Sequence, residues 1–115
     1  MLDVKKLLAK ILVYMKKTSA TTFTPVVGTA YSSYGGCYYE KYGALVHVHV
    51  GMSGLNSSYQ IVYTMPTGFR PQSIQMSVGE GGNAGSIAKI YVNTNGNIQV
   101  SSSVGYCGGD IYYLT

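Results

Sequence analysis

Between Ala44 and Val50 the chain alternates strictly, with Val46, Val48 and Val50 on one side and Leu45, His47 and His49 on the other. A period of two sets one row of side chains against a core and the other outward, so this segment reads as a half-buried strand. The same rule extends along the chain. Tyr59 to Met65 places Tyr59, Ile61, Tyr63 and Met65 on a common face, and Ser73 to Val78 directs Ile74, Met76 and Val78 inward and Ser73, Gln75 and Ser77 outward. Ile111 to Leu114 is apolar on both faces, as expected of a central strand or one at an interface. The stretch from Glu80 to Gly85 has no side chains able to pack and reads as a loop.

Asn95-Gly96 allows a test of register. A two-residue loop would set Val92 opposite Gln99 and mix the faces, whereas a three-residue loop, Thr94-Asn95-Gly96, pairs Val92 with Ile98 and Ile90 with Val100. The longer loop is therefore expected, with Gly96 in the left-handed position of a bulge. Six to eight short strands with glycine-rich connections specify an all-β fold. The expected form is a jelly-roll-like antiparallel β-sandwich head, preceded by a short N-terminal α-helix.

That helix is expected over residues 2–16. Val4, Leu7, Leu8, Ile11 and Met15 form a wide apolar stripe, with Asp3 at the start and Lys16-Lys17 at the end suiting the helix dipole. A helix of this length is marginal alone in water, so it must pack on something. Its own head is one option. Self-association about a symmetry axis is preferred, because a Ser/Thr-rich linker follows at once. Three regions result: a neck helix at 1–17, a linker and first edge segment at 18–36, and the head at 37–115.

Charge argues against several functions. The net charge is +4 and only 10% of residues are charged. Five lysines against Asp3 account for the excess within residues 1–17, and residues 18–115 are neutral, with Lys41, Arg70 and Lys89 against Glu40, Glu80 and Asp110. A nucleic-acid binder needs cations spread along a face, which this head lacks. Lys10 interrupts the apolar run of the first residues and Lys16-Lys17 stand where a cleavage site would fall, so neither a signal peptide nor membrane insertion is expected. The acids show no obvious pairing, no nucleophile elbow occurs, and Gly79-Glu80-Gly81-Gly82 lacks the Lys-Ser/Thr of a phosphate loop. No enzyme and no cofactor are expected.

Met65-Pro66-Thr67-Gly68 ends a strand, since Pro66 cannot donate a ladder hydrogen bond. Proline second and glycine fourth suit a type I turn. Pro71 then holds Arg70 extended, and Arg70 is expected to pair with Glu80 or Asp110, within the chain or across a subunit boundary. Met65-Pro66-Thr67-Gly68-Phe69-Arg70-Pro71, followed by a strand, an Asn-Gly turn and a closing Ile111-Tyr112-Tyr113 strand, resembles the C-terminal head domains of bacteriophage tail fibres and receptor-binding proteins. The resemblance covers residues 44–115. It implies a homotrimer with a helical neck, a virion location at the tail tip after synthesis in a bacterial cytoplasm, other tail proteins as partners, and adhesion to host polysaccharide. It makes Pro66, Gly68, Phe69, Arg70, Pro71 and Gly96 structural. The alternatives are a non-receptor assembly module of a baseplate or capsid, and a bacterial lectin-like or tumour-necrosis-factor-like trimer.

The chain has 12 tyrosines, which supply flat apolar faces with hydroxyls. Tyr38, Tyr39, Tyr106 and Tyr112 are the ligand candidates, with core and subunit packing the competing role. His47 and His49, two apart on one strand face, are weak candidates for a metal; a partly exposed or interface face explains them as well. Cys37 and Cys107 sit in near-mirror glycine-rich settings. Buried thiols are expected in preference to a disulfide.

Overall fold

β4 (Leu45–Ser53) runs between β3 (Cys37–Tyr42) and β9 (Cys107–Leu114), antiparallel to both. Val46, Val48 and Val50 are fully buried, on the face that the alternation assigns to the core. The computed structural model describes residues 3–14 and 19–115, the side chains of 10–14 apart. Its further elements are α1 (Val4–Tyr14), β1 (Thr21–Thr22), β2 (Thr29–Ala30), β5 (Gln60–Thr64), β6 (Gln75–Glu80), β7 (Ile87–Val92) and β8 (Asn97–Ser102). The fold is all-β with one short helix.

The strands form one sheet in the order β1-β3-β4-β9-β6-β7-β8-β5, with β2 pairing β4. The join between β9 and β6 is narrow, since Glu80 opposite Gly108 is its one register pair. Either side of that join the inner faces of both halves meet in a single core, which includes Val48, Met52 and Ile111 from one half and Val62, Ile90 and Val100 from the other. The result is sandwich-like: a sheet curled on itself.

Residue chemistry fixes the connections. Val92 pairs with Ile98 and Ile90 with Val100, as the three-residue loop requires, and Gly96 has φ +92°. The Met65 N–H donates to the Gly96 carbonyl at 2.8 Å, and the Arg70 Nε–H donates to the Met65 carbonyl at 2.9 Å. The proline corner is thus fastened to the hairpin. Among the described residues Arg70 forms no ion pair, which corrects the intrachain pairing expected with Glu80 or Asp110. The turn is also shifted by one residue. Phe69 N–H bonds to the Pro66 carbonyl at 3.0 Å and Gly68 has φ +94°, so glycine fills the third position of a type II-like turn.

Two strands depart from the alternation. In β6 the orientation is reversed: Ile74, Met76 and Val78 are 59–63% exposed while Ser77 and Gly79 turn inward. The reason lies at the join. A Cβ built on Gly79 would lie 2.8 Å from the Gly108 carbonyl oxygen and 2.9 Å from Gly109 Cα. Backbone meets backbone there, and no large side chain fits inside. In β5 a bulge between Ile61 and Tyr63 turns Val62 into the core. Tyr59 and Ile61 are consequently exposed, whereas Met65 is fully buried and Tyr63 packs against the core, so these four residues do not share a face.

The region expected as linker and first edge segment contains two short strands and a core residue. Thr21–Thr22 pairs with Tyr38 and Tyr39, Thr29–Ala30 pairs with β4, and Phe23 is buried with its ring stacked 4.4 Å from that of Tyr63. The helix starts at Asp3, whose Oδ1 accepts from the N–H groups of Lys5 and Lys6 as an N-cap. Val4, Leu7 and Leu8 are exposed, so the described part of the apolar stripe is not covered by the head. Met15 and the side chain of Ile11 lie outside the described residues.

Candidate functional site

Strand register assembles a polar cluster on the outer face of β3, β4 and β9. Glu40 lies opposite His47, and His47 opposite Tyr112; one row along, Tyr38 lies opposite His49, and His49 opposite Asp110. Paired residues in an antiparallel ladder point to the same side, so these six side chains share one surface. A slip of one residue would turn them all inward.

The two histidines are held tightly. His47 Nδ1 is 2.9 Å from Glu40 Oε1 and its Nε2 is 2.6 Å from Asp110 Oδ1. His49 Nδ1 is 2.8 Å from the same Asp110 oxygen, and its Nε2 is 2.6 Å from the Tyr34 carbonyl oxygen. Tyr34 closes a short 3-10 turn, Ser32–Tyr34, which is followed by Gly35 at φ +86° and delivers that carbonyl to the ring. Tyr112 lies flat on His47, with centroids 4.4 Å apart and planes 9° apart, and Tyr38 stacks on His49 at 5.1 Å. The imidazoles are largely shielded, at 8% and 16% side-chain exposure, whereas Asp110 at 45% reaches solvent. Burial pushes the Asp110 carboxyl up, but the hydrogen bonds and charges of His47 and His49 outweigh it and hold it below its ordinary value.

Of the four ligand-candidate tyrosines, Tyr38 and Tyr112 therefore flank the histidine pair. Tyr39 points the other way, into the core, where its ring lies 5.2 Å from that of Phe69. Tyr106 belongs to a separate aromatic group, 5.5 Å from Tyr31 and 6.1 Å from Tyr34. Sequence reasoning missed Glu40 and Asp110 as partners of the histidines. The signal was slight: Asp110 is in phase with Tyr112, but nothing local names β4 as the neighbouring strand. Cys37 and Cys107 are free and buried. Burial raises both thiols, Cys107 to about 12.

A second feature of the outer face is an open groove of about 350 Å³ between Tyr59, Ile87, Lys89 and a run of serines, Ser57 and Ser101 to Ser103. Tyr59 stands edge-on to Tyr91 at 5.0 Å. An aromatic edge, several hydroxyls and one ammonium can bind a polar, hydroxylated ligand. No protein-family model matches the chain, and no curated protein matches it in sequence.

Proposed function

We propose that this chain is a self-associating, non-enzymatic adhesion head of the bacteriophage tail-fibre type, in which three copies close around a common axis. One observation carries the reading: the outer face of β6 and the C-terminal end of β9 expose large apolar side chains. Ile74, Met76, Val78, Tyr112 and Leu114 are each 58–65% exposed. Several large apolar side chains exposed on neighbouring strands mark an interaction surface. The occupant is further copies of the same chain. The helix stripe at Val4, Leu7 and Leu8 is likewise uncovered, and a helix so short gains its stability from a partner. Copies of a charged head would repel one another, but residues 18–115 carry no net charge, so contact between heads costs no net like-charge repulsion; the excess of +4 lies in residues 1–17.

In this reading the groove beside Tyr59 and Lys89 takes a surface polysaccharide, weakly in each copy and strongly in the assembly. Sedimentation of the full chain is expected to give a trimer, and the double variant Met76→Lys/Val78→Lys a monomer with an unchanged far-ultraviolet spectrum. Single particles of the unaltered protein at every concentration would overturn the proposal. A host-glycan array then separates roles: binding that is lost in Tyr59→Ala supports adhesion, whereas a trimer that binds no glycan is an assembly module of a virion or baseplate.

A further inference from the structure

We propose that His47, His49 and Asp110 form a binding site for one divalent first-row transition ion of the zinc type. The ligands are His47 Nε2, His49 Nδ1 and an Asp110 carboxylate oxygen, atoms that all lie within 4.8 Å of one another. The site uses side chains of a single chain.

The pattern of acceptors carries the argument. His49 Nε2 faces the Tyr34 carbonyl, which can only accept, so that nitrogen keeps its hydrogen, and Nδ1, turned to Asp110, is the atom left to ligate an ion once its own proton is displaced. His47 Nδ1 faces the Glu40 carboxylate, which leaves Nε2 turned to the same Asp110 oxygen. Two ring nitrogens thus converge on one carboxylate oxygen, where ring protons supply the positive charge in the metal-free chain and an ion that displaces them supplies it in the metal-bound one. With both rings neutral the cluster has the two negative charges of Glu40 and Asp110. A divalent ion at the convergence point cancels both.

Surrounding groups match what a metal-ligating histidine requires. Such a ring donates its other N–H to a carboxylate or backbone carbonyl, which fixes its tautomer and raises its basicity. Glu40 does this for His47 and the Tyr34 carbonyl for His49. Tyr112 and Tyr38, stacked on the two rings, restrict their rotation. Zinc–nitrogen bonds of about 2.0 Å in a tetrahedron separate ligand atoms by about 3.3 Å. Asp110 Oδ1, now 2.6 and 2.8 Å from the two nitrogens, therefore has to withdraw by roughly half an ångström. Its exposed side chain is free to do so, and the same opening leaves a fourth position to water or a ligand oxygen.

Titration of the tag-free full chain with cobalt(II) chloride tests the site. The expected result is one ion per chain, with the intense visible absorption of tetrahedral cobalt, displaced by zinc chloride. Saturable binding is expected to vanish in Asp110→Asn and His49→Gln and to weaken roughly 10–100-fold in Glu40→Gln, which leaves every ligand in place. The double variant Cys37→Ser/Cys107→Ser is expected to bind unchanged. Circular dichroism of each variant checks that the sheet is intact. The assignment fails if the unaltered chain shows no saturable binding, if folded Asp110→Asn binds as well as the unaltered chain, or if loss follows the cysteines instead.

Discussion

Gly79 of β6 and Gly109 of β9 face each other so closely that a Cβ on either would lie 2.9 Å from the Cα of the other. This contact joins the two halves of the sheet and explains the outward turn of Met76 and Val78. Neither glycine has a positive φ, so the constraint on them is space and not backbone conformation. Gly79→Ala or Gly109→Ala is expected to destabilise the head by about 1–3 kcal/mol through overpacking. Urea unfolding measures it; a midpoint unmoved by either change would mean that the join is looser than described.

Gly96 meets both constraints at once. Its φ is +92°, and an added Cβ would lie 2.6 Å from the Met65 carbonyl oxygen and 2.8 Å from Arg70 Nε. The left-handed conformation alone costs an L-residue about 1–2 kcal/mol, and the clash with backbone adds to it. Gly96→Ala is therefore expected to lower stability by more than Gly68→Ala, since nothing lies within 4 Å of a Cβ on Gly68 although its φ is +94°. Equal losses in the two variants would count against the fastening of the proline corner to the hairpin.

The apolar residues of β6 and β7 are expected to respond in opposite ways. Ile90 is fully buried, and Ile90→Ala is expected to cost about 2–5 kcal/mol whatever the protein concentration. Met76 is 63% exposed, and Met76→Ser is expected to change the stability of the isolated subunit by no more than about 0.5 kcal/mol while weakening association. Unfolding at two concentrations, together with sedimentation, distinguishes them. A large loss for Met76→Ser in dilute monomer would place that side chain in the core after all.

Much of the architecture follows from local rules in the sequence. The Leu45 to Val50 alternation and the Val92–Ile98 register are set by period and turn chemistry, and both are found. The orientation of Ile74, Met76 and Val78 was not legible in this way. Period two says which side chains travel together, but which side faces the core depends on the neighbouring strand, and here the glycines of β9 closed that side. The hydrophobic pattern groups Tyr63 and Met65 with Tyr59 and Ile61, because a bulge at Val62 leaves no mark in it. At the site, the sequence pairs His47 with His49 on one face. Asp110, 61 residues from His49, joins them only through the β4–β9 register.

Asp110 gives a pH dependence of defined sign. Its folded carboxyl is held below the ordinary value by His47 and His49, with Glu40 beyond His47 as the other charged neighbour. Between the folded value and the unfolded one, about 3.9, the unfolded chain binds more protons. The stabilisation is therefore present above about pH 4 and lost as pH falls through the folded value. Thermal unfolding across the acid range is expected to show a shallower decline for Asp110→Asn than for the unaltered chain. Parallel declines would mean that the carboxylate is not held by the two rings.

Cys37 and Cys107 are expected to be inert in the native head. The thiolate is the reactive form, and burial raises both thiols, Cys107 to about 12. At pH 8 a thiol with that value is ionised in only roughly one molecule in ten thousand, before any steric barrier is counted. The Cys37 thiol also lies 3.5 Å from the Gly51 carbonyl oxygen, which it can donate to only while protonated. Ellman's reagent is expected to release no colour from the folded protein and two equivalents once urea unfolds it. Prompt release of one equivalent from native protein would show that a thiol is exposed. A non-reduced mass two hydrogens short would show that the pair is oxidised, and either result contradicts the free, buried state of both side chains.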